Sequence, residues 1–354
     1  SDIPAVDAPL ELMMLHNTII IFLTLFGNIL LISVVIRTNK IKRRRRITPV
    51  QVLMLHMCAA DICFALLTLL PNLLTTATVP VFHGPNALCK FVKFIQVVPL
   101  YASAFLLVAI SADRYYAICR PLDSMRKSAY NRPSLYAAIA WTASIIFSAP
   151  QLALFYKNEE DCVASYSHPW QYVAYVCVFN MAVWLVPSAL AGSFYFCVCR
   201  AVWRSSAFRG TFRHTKKEGG SERDELYREA PDTSGSLQVH HKGLRMQTCE
   251  LDRRRLQTVK LTLTIVAANF ILWAPFCLIQ VVDAIWPHAI SPVFATYILL
   301  FGNLNSCMNP WIWFFFNRDL LRRSNPFYRQ HSTKASHTEL TLTERPLSKT
   351  THSF

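Results

Sequence analysis

The sequence predicts an all-α membrane protein built as a bundle of seven transmembrane helices. Hydrophobic residues make up 53% of its 354 residues and charged residues only 16%, and the mean hydropathy is +0.28. A soluble domain usually carries about 25% charged residues. Seven apolar stretches of 22 to 30 residues are each long enough for a helix to cross the hydrocarbon core, which needs about 20 residues.

The seven stretches are continuous rather than alternating in hydrophobicity, which favours helices over the strands of a membrane barrel. In chain order the predicted spans are 12–36, 50–79, 88–112, 135–156, 170–199, 261–286 and 292–316. They form one transmembrane domain, 12–316, after an N-terminal segment, 1–11, that starts at Ser1 and is expected to be truncated. A polar loop near 204–255 and the Ser- and Thr-rich tail, 317–354, are expected to be mobile.

The basic residues predict the orientation of the bundle. Of the 36 Lys and Arg, 33 fall in the segments 37–49, 113–134, 200–260 and 317–354. The segments on the opposite face contain only Lys157. Lys and Arg accumulate on the cytoplasmic side of membrane spans, so the N-terminus is expected outside and the tail inside. The net charge of +15 then reflects topology and anionic lipid rather than nucleic acid.

A carboxyl group inside span two is the first candidate functional residue. Asp61 lies near the middle of that span, at a depth comparable with Asn28, Ser103, Asn305, Ser306 and Asn309. Oxygen ligands suit hard cations, so Asp61, Ser103, Asn305 and Asn309 are predicted to bind sodium. The alternatives are a carboxyl kept protonated by burial and Asn or Ser side chains that join helices.

The Asp113-Arg114-Tyr115 stretch is the second candidate, at the cytoplasmic end of span three. An arginine at this depth is also what the distribution of positive charge alone predicts, as a side chain that reaches the membrane surface.

Two cysteines are predicted to form a disulfide. Cys89 opens span three at the outer face, and Cys162 lies in the outer loop between spans four and five. The outer face is oxidising, and of the eleven cysteines these two alone are clearly placed there.

These motifs together resemble the class A, or rhodopsin-like, G-protein-coupled receptors over roughly residues 12–320. The matching motifs are Gly27-Asn28, Leu55 to Asp61, Asp113-Arg114-Tyr115, Trp141, Pro187 with Tyr195, Trp273-Ala274-Pro275 and Asn309-Pro310. Each motif is weak alone, but seven in order on seven helices are very specific. The resemblance implies an outward ligand pocket, an inward cavity for a G protein and a short amphipathic helix after the last span, near 317–323.

Longer strings resemble the vasopressin and oxytocin receptors, including their invertebrate relatives. They include Val92 to Val98, Tyr101-Ala102-Ser103, Ala117 to Leu122, Ser148 to Gln151 and Leu304 to Ile312. The resemblance implies an amidated peptide hormone as ligand and signalling through phospholipase C and calcium. Receptors for cardioactive or neuropeptide S-like peptides, and for gonadotropin-releasing or adipokinetic peptides, are the related alternatives.

In that family, mostly polar side chains from several helices would line the peptide pocket. The predicted peptide-binding residues are Lys93, Gln96, Gln151, Gln280, Trp273, Thr68 and Asn72. Ammonium and amide groups suit the backbone carbonyls and terminal amide of a peptide. Thr68 and Asn72 stand where the family commonly has Gln, which leaves the hormone open. Lys93 could instead be a residue that reaches the membrane surface, and the Gln residues could join helices.

The resemblance also assigns an activation switch at the cytoplasmic end. Its predicted members are Asp113, Arg114, Tyr115, Tyr195, Asn309, Pro310 and Trp313. Asp113 would hold Arg114 at rest, and activation would release Arg114 toward Tyr195 and the G protein. Arrestin and a receptor kinase would act on the Ser- and Thr-rich tail.

Two residues depart from the class pattern. Trp313 replaces a Tyr that is thought to meet Tyr195 through water, and Asn269 replaces an aromatic residue six positions before Pro275. An indole donates one hydrogen bond and accepts none, so the active state is expected to be less stable and basal signalling low. The alternative is that Trp313 packs against lipid or the terminal helix.

Other classes of membrane protein fit the sequence less well. A transporter or channel could use a buried Asp61, but no inverted repeat or pair of broken helices is visible. An intramembrane enzyme is also disfavoured, because the sequence has no phosphate-binding loop, His-Glu-x-x-His motif or paired intramembrane Asp.

Overall fold

Helical spans run back and forth across the bundle in the computed structural model, which describes residues 10–41, 47–78, 82, 84–120, 131–159, 161–218 and 235–318. Span one is α1 (Leu10–Ile41) and span three is α4 (Asn86–Cys119). Span two joins α2 (Pro49–Phe64), a π-helical segment (Ala65–Leu69) and α3 (Leu70–Thr78). Span four joins α5 (Arg132–Ser148) and α6 (Pro150–Leu154).

The remaining spans are longer or interrupted. Span five joins α7 (Pro169–Asn180), a second π-helical segment (Met181–Leu185) and α8 (Val186–Glu218). Span six is the end of α9 (Gly235–Ile285). Span seven joins α10 (Pro292–Asn303) and α11 (Asn305–Phe316) across Leu304.

Six helices of the described chain are long and apolar enough to cross a membrane, and they correspond to spans one to six. The seventh span is interrupted at Leu304, so each of its halves has only 12 residues. Together the halves cover Pro292–Phe316, the same residues that the sequence predicts. A seven-helix bundle is therefore confirmed.

Local sequence signals explain where several spans begin. Thr48 caps α2 reciprocally with Gln51: the Gln51 amide donates to Thr48 Oγ1 at 3.4 Å, and the Thr48 amide donates to Gln51 Oε1 at 3.1 Å. Ser291 caps α10 by accepting from the Phe294 amide at 3.3 Å. A proline follows each cap, at the position where its missing N–H leaves no bond unmade.

The predicted end of span four is wrong by two residues. The helix ends at Leu154, and Phe155–Lys157 forms strand β1, which pairs antiparallel with strand β2, Cys162–Ala164. The apolar side chains of Phe155 and Tyr156 made the helix look longer than it is. Pairing with β2 gives their backbone groups partners outside a helix.

The structure describes only part of two segments that the sequence places outside the spans, the loop 204–255 and the helix 317–323. Helices α8 and α9 reach into the predicted loop 204–255, to Glu218 and from Gly235, and residues 219–234 lie outside the described chain. Of the predicted amphipathic helix at 317–323, the structure describes only residues 317 and 318, and residues 319–323 lie outside the described chain.

Span three is the centre of the bundle and packs against spans two, four and five. The largest fully buried side chains include Leu53, Met57, Leu106, Leu107 and Ile110, all on spans two and three. Large apolar side chains such as Phe22 and Phe196 point outward, as expected for a lipid-facing surface. We call the end of the bundle that holds Cys89 and Cys162 the disulfide end, and the opposite end, which holds Arg114, the arginine end.

Candidate functional site

A cavity opens between the spans near the disulfide end. Its volume is about 470 Å³, within the usual range of about 300–1,000 Å³ for ligand sites. Residues from spans one, two, three, five, six and seven line it, together with Phe155 of β1 and Ala164 of β2. The helix bundle and the hairpin therefore build one pocket.

Four of the predicted peptide-binding residues line this cavity: Thr68, Asn72, Trp273 and Gln280. Trp273 is 9% exposed and packs edge-on against Phe276. Thr68 and Asn72 on span two and Gln280 on span six give this part of the lining hydrogen-bonding side chains.

The other three predicted residues lie one layer behind the lining. The carbonyl oxygen of Gln96 accepts from Thr68 Oγ1 at 2.7 Å, and Gln96 Nε2 lies 3.5 Å from Asn72 Oδ1. Gln151 is buried and donates to the Tyr175 hydroxyl. Lys93 Nζ lies 5.4 Å from the ring centroid of Phe155. Each of the three thus contacts a residue that does line the pocket.

An aromatic wall of the pocket is absent from the predicted set. Tyr172, Tyr175 and Phe179 line the cavity from α7, and Tyr166 joins them from the segment after β2. The ring centroids of Tyr166 and Tyr172 are 5.5 Å apart, and those of Tyr175 and Phe179 are 6.2 Å apart. The spacing of three and four residues along α7 is the sequence signal that could have revealed this face.

The pocket is uncharged, and most of its lining is apolar. Among the described residues that line it, none is Asp, Glu, Lys or Arg. Burial, with Tyr172 next to it, raises the pKa of the Tyr166 phenol above its ordinary value of 10.0, so Tyr166 remains a neutral donor at physiological pH. The pocket therefore suits a ligand surface that is apolar or neutral and hydrogen-bonding.

The disulfide predicted from the two outer cysteines is confirmed. Cys89 at the start of α4 is bonded to Cys162 at the start of β2, with their Cα atoms 5.7 Å apart. The Lys157 amide also donates to Asn86 Oδ1 at 2.9 Å. The hairpin is thereby fastened at two points to the start of span three.

Asp61 is buried between spans two and seven. It is 2% exposed, and Asn309 Nδ2 donates to its Oδ2 at 3.0 Å. Ser103 instead donates to Met57 Sδ at 3.4 Å, and Asn305 is buried on span seven. Of the predicted sodium ligands, Asn309 is thus the one whose direct contact with Asp61 the structure gives.

A second pair of polar contacts joins spans one and seven. Asn28 Nδ2 donates to the Thr24 and Ser306 carbonyl oxygens at 2.9 and 3.2 Å. The hydroxyls of Thr24 and Ser306 lie 3.0 Å apart. Asn28 and Ser306 therefore join helices, as the alternative interpretation of buried Asn and Ser predicted.

The arginine end contains a buried charge cluster. Asp113 is 1% exposed, and Arg114 Nη2 contacts its Oδ2. Arg132, at the start of α5, places Nε 4.0 Å from the other oxygen, Oδ1, and its guanidinium lies 5.2 Å from the ring centroid of Tyr116. Sequence reasoning missed Arg132, whose role depends on the contact between spans three and four.

The two departures from the class pattern are both buried in the bundle. Trp313 is 3% exposed and packs edge-on against Phe314, so its indole does not face lipid. Tyr195 is 2% exposed, and its hydroxyl faces the Ser111 and Thr262 side chains without a hydrogen bond of standard geometry to a described residue. Asn269 is also buried, at 7% exposure.

Phe270, the neighbour of Asn269, faces span five instead. Its ring stacks on Trp184 with centroids 5.2 Å apart, and Trp184 Nε1 donates to the Phe270 carbonyl at 3.2 Å. The aromatic side chain thus lies on a different face of span six from Asn269, as expected for adjacent residues about 100° apart around a helix.

Comparison with known proteins gives a consistent set of relatives. The sequence profile described as 7 transmembrane receptor (rhodopsin family) matches residues 27–313. The chain is 60% identical over 327 residues to nematocin receptor 1 of Caenorhabditis elegans, covering 92% of this chain and 85% of that receptor. It is 44% identical to nematocin receptor 2 of the same organism, covering 88% and 78%. The vasopressin V1b receptor of Homo sapiens is 32% identical over 307 residues, covering 82% of this chain and 70% of that receptor.

Proposed function

Because the chain belongs to the rhodopsin family of seven-transmembrane receptors, and within it to the vasopressin- and oxytocin-type receptors, we propose that it is a cell-surface receptor for a nematocin-like peptide. The observation that carries this proposal is the 60% identity to nematocin receptor 1 across nearly the whole chain. The protein is a receptor and not an enzyme, and signalling runs through heterotrimeric G proteins, most directly through phospholipase C and calcium.

The pocket supports a peptide ligand of this kind. Its neutral lining of aromatic and amide side chains offers apolar surface together with donors and acceptors for backbone groups. No Asp or Glu occurs among the described lining residues, so the pocket offers no carboxylate to pair with the ammonium of a biogenic amine. Cardioactive and gonadotropin-releasing-like peptides are the second candidates.

We also propose the orientation of the receptor in the membrane, its intracellular partners and a bound sodium ion. The N-terminus lies outside the plasma membrane and the tail inside, where it meets the G protein, arrestin, a receptor kinase and anionic lipid. Asp61 and Asn309, with Ser103 and Asn305, offer the oxygens for a sodium ion, which would stabilise the buried carboxylate.

A ligand panel tests the proposed function. Cells that express the receptor are exposed to nematocin, a cardioactive peptide and a gonadotropin-releasing-like peptide, with calcium and cyclic AMP as readouts. Nematocin is expected to be the most potent and to raise calcium. A response to one of the other peptides at lower concentration than to nematocin would contradict the ligand assignment.

Gln280 gives a direct test of the pocket. Replacing it with Ala leaves a polar group of the peptide unpaired, which costs roughly 1–3 kcal/mol, or about a 5- to 150-fold loss of affinity. Gln280→Glu should lose at least as much, because it buries a charge in a neutral pocket. Both variants are compared with the parent by peptide displacement at equal surface density, and parental affinity in both would remove Gln280 from the site.

Trp313 is expected to limit basal signalling. In a Trp313→Tyr receptor the phenol both donates and accepts, so it can pair through water with the Tyr195 hydroxyl and favour the active state. Basal or partial-agonist signalling should rise at equal surface density, and Asn269→Phe should act in the same direction. Trp311→Tyr is the matched control, because Trp311 is 40% exposed on the same helix. Parental signalling in Trp313→Tyr and Asn269→Phe across a full peptide titration would contradict this interpretation.

A further inference from the structure

Arg132 lies in the first turn of α5, at the arginine end of span four, and its side chain turns into the bundle. The side chain is 13% exposed, and its Nε lies 4.0 Å from Asp113 Oδ1 on span three. An arginine that served membrane orientation alone would instead extend toward water. The positive end of the helix dipole also disfavours a cation in the first turn of a helix. The burial of Arg132 therefore needs another reason, which its contact with span three supplies.

Span three presents both a charge and an aromatic ring to this guanidinium. Asp113 and Tyr116 are three residues apart on α4, so they lie on one face of that helix. The guanidinium carbon of Arg132 lies 5.2 Å from the ring centroid of Tyr116, within the range of a cation–π contact. This contact does not involve the carboxylate, so it keeps the guanidinium beside Asp113 whichever other partner Asp113 has.

The Asp113 carboxylate is shared by two guanidiniums, one on each oxygen. Its ion-pair partners within the described chain are Arg114, at Oδ2, and Arg132, at Oδ1. Two guanidiniums that approach the same buried carboxylate repel each other, because screening by water is weak in a protein interior. Arg132 therefore weakens the hold of Asp113 on Arg114.

Release of Arg114 during activation leaves a carboxylate that still needs a counter-charge. Asp113 is almost fully buried, so water cannot replace the guanidinium that leaves. A buried charge without a partner is strongly unfavourable. Arg132 belongs to a different span and already lies beside Oδ1, so the carboxylate can stay paired after Arg114 has left.

We propose that Arg132 is a positioning residue of the activation switch: it takes over the Asp113 carboxylate when Arg114 leaves, and thereby stabilises the active state relative to the resting state. This role deepens the proposed function and rests on it, because the release of Arg114 belongs to the G-protein signalling proposed above. Although Asp113 and Arg132 are ion-pair partners, their removal should have opposite effects: loss of Asp113 raises ligand-free signalling, and loss of Arg132 lowers signalling.

The first test compares Arg132→Gln with its matched control, Arg132→Lys, at equal surface density. Without a counter-charge for Asp113, the calcium response to nematocin should require about tenfold or more peptide. Arg132→Lys keeps the positive charge and should stay within about threefold of the parent. Peptide affinity measured without G protein should be parental in both, because the pocket lies at the disulfide end. A parental response or raised ligand-free signalling in Arg132→Gln would overturn the proposal.

Tyr116 offers a second pair of variants that leaves all three charges in place. Tyr116→Leu removes the ring beside the guanidinium, whereas Tyr116→Phe retains it. The response to nematocin should weaken in Tyr116→Leu, in the same direction as in Arg132→Gln, and less in Tyr116→Phe. Equal losses in the two variants would assign the effect to the hydroxyl and contradict the part given to the ring.

The third test needs no peptide and separates this role from a purely structural one. Ligand-free signalling is compared between Asp113→Asn and the double variant Asp113→Asn with Arg132→Gln. Without the carboxylate no charge has to change partner, so the added substitution should change the signal by less than about threefold. An Arg132 that merely supported span four, or contacted the G protein itself, would lower the signal about tenfold in this background too, and that result would refute the proposal.

Failure of the ligand assignment is distinguishable from failure of this inference. If nematocin does not activate the parent receptor, the ligand assignment is wrong, and Arg132 is judged from ligand-free signalling in cells that express the receptors at high density. Arg132→Gln should then signal about tenfold less than the parent and than Arg132→Lys. Equal ligand-free signalling in the three receptors would show that Arg132 has no part in the switch.

Discussion

An Arg114→Ala receptor is expected to bind its peptide with parental affinity and to give no agonist-evoked calcium signal. The pocket lies at the disulfide end and Arg114 at the arginine end, so the substitution leaves every lining residue in place. Under the proposed function, the G protein meets the arginine end, and Arg114 is the charged side chain that activation releases toward it. Removing the guanidinium should therefore abolish G-protein signalling without changing peptide binding.

The structure explains why Arg114 is restrained at rest. The Asp113 carboxylate is almost fully buried and faces Arg114 through Oδ2 and Arg132 through Oδ1. A charge-assisted contact of this kind is stronger than a neutral hydrogen bond, and removing one partner of a buried pair costs about 3–5 kcal/mol. The resting state thus depends on one carboxylate shared by spans three and four.

Neutralising that carboxylate should have the opposite effect to removing Arg114. In Asp113→Asn the resting state loses the restraint on Arg114, and each 1.4 kcal/mol lost raises the active fraction about tenfold while that fraction is small. Basal signalling should therefore rise about tenfold or more at equal surface density. Arg200→Ala, at an exposed arginine of span five, is the control and should signal like the parent.

Two results would contradict this account of the switch. One is an Arg114→Ala receptor that still signals at equal surface density. The other is an Asp113→Asn receptor whose basal signalling equals that of the parent, since the Asp113 contact would then contribute nothing to the resting state.

The spans could be predicted from sequence because the membrane imposes a simple rule: about 20 apolar residues, with backbone bonds satisfied inside the helix. The disulfide followed equally directly from the placement of Cys89 and Cys162 on the oxidising face. The end of span four did not, because Phe155 and Tyr156 are as apolar as helix residues and their strand depends on a partner nine residues further along.

The candidate site was harder to predict than the fold because it depends on contacts between helices. Lys93, Gln96 and Gln151 were expected in the lining, yet they contact Phe155, Asn72 and Tyr175, which line the pocket themselves. Arg132 has no motif of its own, and its position beside Asp113 appears only when spans three and four pack together. Helical spacing could have indicated Tyr172, Tyr175 and Phe179, but not which neighbour they face.

Breaking the Cys89–Cys162 disulfide is expected to abolish most peptide binding and to reduce surface expression strongly. The bond closes a loop with a sequence separation of 73 residues, for which the chain-entropy estimate is about 4 kcal/mol. It also fixes β2 against the start of span three. Phe155 and Ala164 of the hairpin, and Tyr166 just after it, line the pocket, so a released hairpin removes part of the wall.

The disulfide test needs variants that separate the tether from mispairing of a leftover thiol. Cys89→Ser leaves Cys162 free, whereas the double variant Cys89→Ser with Cys162→Ser removes both thiols. Both should lose binding to a similar degree, because the hydrogen bond from the Lys157 amide to Asn86 is the smaller of the two attachments. Cys197→Ser, at an exposed free cysteine, is the control and should behave like the parent.

Peptide affinity is compared at matched surface density, and mass spectrometry of the unreduced parent should find Cys89 and Cys162 in one linked fragment. Parental affinity in the double variant would show that the hairpin holds its place without the bond, and the disulfide would then have no part in shaping the pocket.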